Sequence, residues 1–272
     1  MIKKYFSKSY SENFNVRHIW NSDVSQDYAL EHVHLMPELL YILKGNLSHV
    51  VEDREYRLVK GDLVIIPPMR YHQLKILSSP TEYERYNILF PLEILHGIDT
   101  QRIFREIEVI HCSDHGIISD GFKKLDYYAE NLPDDAFRDI VTMLLREIFH
   151  NLSIYDGTHN IEPSFLSPIL SKALTYINDN LFTIQSISEI SQNLFITDSY
   201  LFDVFKSQLK TTPKRYITMK RLLVAQNAIQ LGKKPTEIYS DCGFSDYTSF
   251  YRSYVHYFGH SPSQEQDIKT DL

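Results

Sequence analysis

The stretch CGFSDYTSFYRSYVHYFGHSP, residues 242–262, decides how the second half of this chain is read. It opens on a Gly-Phe turn and closes on Gly-His-Ser-Pro. Between them Phe250, Tyr254 and Phe258 recur at helical spacing and form an inward stripe. The other side shows Tyr247, Thr248, Tyr251, Arg252 and Val255, more aromatic surface than a helix facing only water needs. Just upstream, Ile238 ends a short helix, Gly243 supplies a left-handed turn, Phe244 plugs the core and Ser245 is the expected cap of the next helix.

The same device occurs once before. In IQSISEISQNLFITDSYLFDVFKSQL, residues 184–209, Ile187 and Ile190 give a short apolar face and a turn follows around 194–197. Thr197 is placed to cap a second helix whose Leu201, Val204, Phe205 and Leu209 point inward. Short helix, tight turn, second helix is the helix-turn-helix, whose second member enters the DNA major groove. Between the copies PKRYITMKRLLVAQNAIQLG, residues 213–232, reads as one long helix stopped by Gly232.

With Gly243-Phe244, Phe250, Arg252, Gly259, Ser261 and Pro262 in place, the region from about Ser167 to Pro262 resembles the AraC/XylS family of transcription regulators. The resemblance implies two helix-turn-helix units reading successive major grooves on one face of duplex DNA. It assigns DNA contact to Ser199, Phe202, Asp203 and Lys206 in the first unit and to Tyr247, Thr248, Tyr251 and Arg252 in the second. Arg252 suits a bidentate contact to guanine, and Lys206, Lys210 and Arg215 suit phosphates. The chain departs from the family at several points. Phe202 and Asp203 stand where polar or basic readers are common, and Asp203 repels phosphate. Tyr239 fills a place usually held by alanine, Ser191 takes the matching small position in the first copy, and the tail SPSQEQ reads as polar.

The first half has a different grammar. Over about residues 15–95, ELLYILKG, EYRLVKGDLVIIPP and YNILFP read as short strands ended by Gly and Pro, which suggests a small barrel or jelly roll. After Asp99 the period becomes helical. Ile140, Leu144, Ile148 and Leu152 form one stripe with Val141, Leu145 and Phe149 beside it, either core against the barrel or a seam between subunits. The polar stretch DGTHNIEPS, residues 156–164, reads as a linker. The fold class is therefore α+β multidomain, in three parts. A cupin-like β-barrel spans 1–98, a helical dimerisation segment with linker 99–160, and an all-α double helix-turn-helix domain 165–265.

HVHLMPELLYILKG carries His32, His34, Glu38 and Gly45, and GDLVIIPPMRYH ends at His72. These resemble the two motifs of the cupin barrel, with Met69 where a glycine is usual. That resemblance implies a divalent metal such as Mn, Fe, Ni or Zn on His32, His34, Glu38 and His72. In regulators of this build the same residues line or brace an effector pocket instead, and no cofactor is fixed by the sequence. Arg17, Trp20 and Tyr41 are further pocket candidates, by stacking and anion pairing. A sugar effector is suggested by analogy alone.

Composition sets the bounds. The 272 residues carry a net charge of −7, yet from Phe165 onward 11 Lys and Arg face 10 Asp and Glu, so the acidity belongs to the first part. Phosphate attraction is local, and this split permits DNA binding. Two distant cysteines, Cys112 and Cys242, fit a reducing cytoplasm, and no apolar run reaches the length of a membrane span. The expectation is a cytoplasmic, homodimeric regulator without enzymatic activity, its DNA affinity set by a small molecule in the barrel. The rival reading is a metal-dependent cupin enzyme whose helical half mediates association.

Overall fold

In the first part of the chain the described residues form ten antiparallel strands, several of them apolar and buried on both faces. They are β1 (Ile2–Ser11), β2 (Phe14–Val24), β3 (Leu30–His32), β4 (Glu38–Lys44), β5 (Leu47–Val51), β6 (Arg54–Leu58), β7 (Asp62–Ile66), β8 (His72–Ile76), β9 (Thr81–Leu89) and β10 (Val109–His111). The computed structural model describes residues 2–11, 14–24, 30–77, 81–112, 116–155 and 160–265. The chain divides into two units, Met1–Ser164 and Phe165–Leu272.

Two sheets face each other in the first unit. One runs β1-β2-β9-β4-β7-β10; the other runs β6-β5-β8-β3 and is extended at its β6 edge by the two-residue β11 (Ser164–Phe165), where the unit ends. Side chains alternate across a strand, so register decides what each face holds. On β4, Leu40 and Ile42 point between the sheets, where they meet Leu47, Leu58, Val64, Leu74, Ile76 and Tyr83. Leu39 and Tyr41 point the other way, into a core shared with Val16, Leu63, Ile65, Tyr86 and Ile88.

Helices cover that outer face: α1 (Thr100–Glu106), α2 (Gly116–Lys123), α3 (Leu125–Asn131) and α4 (Asp134–Ser153). Phe137, Val141, Leu144, Leu145, Ile148, Phe149 and Leu152 of α4 are buried in the shared core. The stripe read as core or seam is therefore core. Gly121 lets α2 approach α4, because a Cβ there would overlap Leu144 Cδ1. The strand β1 was not foreseen. It is an edge strand whose side chains from Tyr5 to Tyr10 alternate between exposed and half-buried, with Lys8 donating to Asp134 Oδ1 at 2.6 Å. Charged, polar edges of this kind resist pairing with other chains but hide the strand signal. Residues 156–159 of the expected linker lie outside the described residues.

The second unit is helical: α5 (Pro168–Asp179), α6 (Ile187–Asn193), α7 (Asp198–Leu209), α8 (Pro213–Gln230), α9 (Pro235–Ile238) and α10 (Tyr247–Phe258). Each start has a local cause. Ser167, Thr197 and Thr212 accept from the backbone N–H three residues on, and Glu189 accepts from the Ser186 N–H. At α10 the cap is Asp246, which accepts from Ser249 N at 2.8 Å, and not Ser245. Ser245 lies one residue too early and its hydroxyl donates to Asp246 instead. Gly243 takes φ +82° and Gly259 φ +79°, the left-handed values that open the second turn and close α10.

The core around the second copy gathers Leu222, Ala225, Ile229, Ile238, Cys242, Phe250 and Tyr254. Tyr239 adds its ring edge-on to Tyr247 at 5.8 Å, which fills the place where a smaller residue was expected. Glu265 is a buried residue within the stretch read as a polar tail. It is 2% exposed and accepts from Tyr254 Oη (2.5 Å), Gln226 (3.0 Å) and Gln230 (2.8 Å).

Candidate functional site

Two helical faces and one polar interior carry the candidate residues. On α7, burial of Leu201, Val204, Phe205 and Leu209 leaves Ser199, Phe202, Asp203 and Lys206 exposed on the opposite side. On α10, Phe250 and Tyr254 are fully buried while Thr248, Tyr251 and Arg252 are exposed. Tyr247 and Val255 are half-buried at the edge of that face, Tyr247 against Phe250 and Tyr251. Among the described residues neither Arg252 nor Lys206 makes a salt bridge. Their charges are open to an outside partner.

Arg221, which the sequence reading did not single out, holds this scaffold. Its Nε donates to Leu181 O (2.7 Å), Nη2 to Ile184 O (2.6 Å) and Nη1 to Gly243 O (2.7 Å). One side chain on α8 thus ties the segment before α6 to the turn before α10. The carboxylates that start α7 and α10 are held in the charged form. Asp246 lies below its ordinary value through the Ser249 backbone N–H and then the Ser249 hydroxyl, and Asp198 through the hydroxyls of Ser191 and Ser188. The small Ser191 is thereby a hydrogen-bonding residue as well as a packing one.

Between the sheets, Glu38 is the centre of a polar cluster. His34 Nε2 and His72 Nε2 each lie 3.1 Å from Glu38 Oε2, and Asn87 Nδ2 donates to Oε1. Burial raises the Glu38 carboxyl, but hydrogen bonds from His34 and His72, and their charge, outweigh it and hold the group well below its ordinary value. His34 Nδ1 is 2.6 Å from Met36 O and His72 Nδ1 is 3.0 Å from Arg70 O. A carbonyl only accepts, so each Nδ1 carries its proton and each Nε2 faces the carboxylate. That arrangement suits a cation between the three groups, whose ligand atoms all lie within 4.8 Å of one another. Imidazoles oriented through Nδ1 by backbone carbonyls are what a divalent metal asks of its ligands. The donor set fits.

The other pocket candidates separate by face. His32 is opposite His72 in the β3–β8 register, and its side chain lies outside the described residues. Arg17 pairs with Asn87 across β2 and β9 and shares the inner face with Glu38. Trp20 pairs with Glu84, on the face of Tyr86 and His18. Tyr41 stacks on Phe122 of α2 at 4.5 Å. Neither Trp20 nor Tyr41 joins the inner cluster, because each lies an odd number of positions from the residues that do. Arg85 and Asn87 do join it and were not anticipated.

Residues 16–162 match the AraC-like ligand binding domain, and residues 190–267 match a helix-turn-helix domain. The probable transcriptional regulator LumQ of Photobacterium leiognathi is 35% identical over 92 residues, which cover 34% of this chain and 37% of LumQ. The HTH-type transcriptional activator RhaR of Shigella dysenteriae serotype 1 is 24% identical over 255 residues, covering 90% of this chain and 89% of RhaR. The crystal structure of ToxT from Vibrio cholerae O395 aligns over 96% of this chain and 100% of its own at 13% identity and a TM-score of 0.39.

Proposed function

Since this chain belongs to the AraC family of transcriptional regulators, with a ligand-binding domain ahead of its helix-turn-helix region, we propose that it reads duplex DNA through α7 and α10. A small molecule held between the two sheets modulates that reading. The single observation behind this proposal is the division of labour on α10. One side is spent entirely on the core, and the other offers Thr248, Tyr251 and Arg252 with the guanidinium unclaimed by any salt bridge among the described residues. Arg252 then reads guanine, Thr248 and Tyr251 reach base edges or phosphate, and Lys206, Lys210 and Arg215 hold the backbone. On α7, Phe202 packs on a thymine methyl and Asp203 accepts from cytosine, which makes the first unit the weaker electrostatic partner.

The small molecule acts by differential affinity. It shifts DNA binding only as far as it prefers the DNA-competent state, and DNA changes its affinity by the same factor. His34, Glu38 and His72 form the polar end of its site. A divalent cation on those three would neutralise Glu38 and offer coordination positions to an oxygen of the effector. A homodimer would present four helix-turn-helix units, so that avidity offsets a weak first unit. The α4 stripe is spent on the core, so a dimer contact uses a different surface, such as that of the exposed Met143.

The test is fluorescence anisotropy on the DNA upstream of the chain's own gene, against a scrambled duplex, at several salt concentrations. Wild type should prefer the upstream duplex with affinity falling steeply with salt. Arg252→Ala should lose about 1–3 kcal/mol of that preference. Equal, weak binding of wild type to both duplexes at physiological salt would sink the proposal and bring forward metal analysis of the His34–Glu38–His72 cluster.

A further inference from the structure

The described residues include six arginines that are at least half-buried: Arg17, Arg54, Arg85, Arg102, Arg146 and Arg221. Four are satisfied by the chain itself. Arg54 pairs with Glu108 at 3.2 Å, Arg102 donates to Ser153 O at 2.6 Å, Arg146 donates to Ile94 O at 2.7 Å, and Arg221 has its three carbonyls. Arg17 and Arg85 are the exceptions. Each has a buried Nε with no hydrogen-bond partner, and neither forms an ion pair with a carboxylate among the described residues. Arg85 is only 7% exposed, and its Cζ lies over the Tyr83 ring, 5.3 Å from the centroid, a cation–π contact that leaves its N–H groups without an anion.

The two lie together. Arg17 is opposite Asn87 and Arg85 is opposite Ile19, so they are diagonal neighbours on the inner face of β2 and β9. Glu38, the inner carboxylate beside them among the described residues, is occupied on both oxygens by His34, His72 and Asn87. A guanidinium does not shed its proton, so it cannot relieve the cost of burial by becoming neutral. The charge is left for something the described residues do not supply as a carboxylate. Leu40, Ile42, Leu74, Ile76 and Tyr83 line the same interior and offer an apolar wall.

We propose that the effector is a small organic carboxylate with an apolar body, its carboxylate clamped by Arg17 and Arg85. This rests on the reading of the barrel as an effector site and names its chemical class. The planar fork of a guanidinium matches a carboxylate, and an apolar body suits the wall. A neutral polyol would leave both cations uncompensated.

The experiment is thermal shift and calorimetry on the full-length protein at constant ionic strength in chloride buffer. The probes are phenylacetate and hexanoate, their neutral amides, L-rhamnose and inorganic phosphate. Wild type should show a saturable rise in Tm with a carboxylate and none with the matching amide. Arg85→Gln and Arg17→Gln should bind that carboxylate about ten- to a hundredfold more weakly, the worth of a charged hydrogen bond. Arg85→Met tests the site without a ligand. Removal of an uncompensated charge should raise its Tm above wild type in chloride buffer. A carboxylate response unchanged in Arg85→Gln overturns the proposal, as does a phosphate response equal to the carboxylate one. No carboxylate response together with a lower Tm in Arg85→Met also overturns it, by making the guanidinium a brace. Rhamnose stabilising wild type and Arg85→Gln alike would overturn the anion class and leave the effector reading standing. Failure of the regulator reading itself appears separately, in the DNA anisotropy.

Discussion

Replacing Arg221 tests whether the helical unit is organised as described. Its three hydrogen bonds reach two loops that are far apart in sequence, at Leu181 and Ile184 before α6 and at Gly243 before α10. A hydrogen bond with a charged partner is worth about 1.5–3 kcal/mol, and a buried carbonyl left without a donor costs about 1–3 kcal/mol. Leu181 and Ile184 are 8% and 4% exposed, so those two carbonyls gain little from water, while Gly243 is half-exposed and recovers part of its loss. Three full terms would overshoot, because the guanidinium is itself only half-buried and partly compensated by solvent. Arg221→Met keeps the stem and loses every bond, for an expected cost of about 3 kcal/mol. Arg221→Lys keeps one bond, for about 2 kcal/mol. The assay is urea unfolding followed by circular dichroism at 222 nm, which favours the helical unit; the single tryptophan, Trp20, reports the other. In a domain of this size about 3 kcal/mol corresponds to a fall in Tm of roughly 10–20 °C. A cost under about 1 kcal/mol for Arg221→Met, or a lysine variant equal to wild type, would refute the clamp. Gly243→Ala gives a second handle, since its Cβ would meet Arg221 Cζ, Arg221 Nε and Phe182 O at 2.8 Å and its φ is +82°. The costs of Arg221→Met and Gly243→Ala should add less than fully in the double variant, because the arginine half of that clash is gone.

Three further outcomes follow from the same unit. Asp246 and Asp198 have folded values below the ordinary 3.8, so their contribution is fully present above about 3.8 and lost as pH falls through the lower folded values. Asp246→Asn keeps the cap but does not titrate, so its acid unfolding limb below pH 4 should be shallower than wild type, and an identical limb would remove Asp246 from the account. Tyr254→Phe deprives the buried Glu265 of its closest donor and should cost about 1–2 kcal/mol by urea unfolding, with no loss if Glu265 were a free tail residue. Burial pushes the thiols of Cys112 and Cys242 up, to about 12 and about 11, so a thiol reagent at pH 8 should leave both unlabelled in native protein and label both in denaturant.

What the sequence reveals depends on how local the cause is. Both helix-turn-helix copies were legible because their signals lie within one or two turns, in Thr197, Gly243, Phe244 and the spacing of Leu201–Phe205 and Phe250–Tyr254. The outward faces of α7 and α10 followed from the inward ones. The Arg221 clamp was not legible, because its acceptors are backbone carbonyls about twenty to forty residues away and carbonyls leave no mark in a sequence. Glu265 was misread for a related reason, since its donors on α8 and α10 converge only in the fold. In the barrel the resemblance to the cupin motifs brings out His34, Glu38 and His72, together with His32, whose side chain lies outside the described residues. The faces of Tyr41 and Trp20 were not, because face is set by cross-strand register and a shift of one residue reverses it. The signal that would have found Arg85 is the alternation of Tyr83, Arg85 and Asn87 against Glu84, Tyr86 and Ile88 along β9, visible once the outer core is known.

The two units differ in how completely they satisfy their own polar groups, and that difference bears on control. In the helical unit Arg221, Glu265, Asp198 and Asp246 each have partners supplied by the chain. Nothing in that set waits for a ligand, and the exposed Arg252 makes no salt bridge among the described residues. In the barrel Arg17 and Arg85 sit beside an apolar wall without a carboxylate of their own among the described residues. A ligand that supplies the missing charge stabilises the barrel by about 2.7 kcal/mol at a hundred times its Kd. Only the part of that gain that differs between DNA-competent and incompetent states reaches the operator, because equal affinity for both states shifts nothing. The control of this regulator is therefore to be sought in the barrel interior, where Arg17 and Arg85 lack a carboxylate among the described residues, and its specificity in the open charges on the exposed faces of α7 and α10.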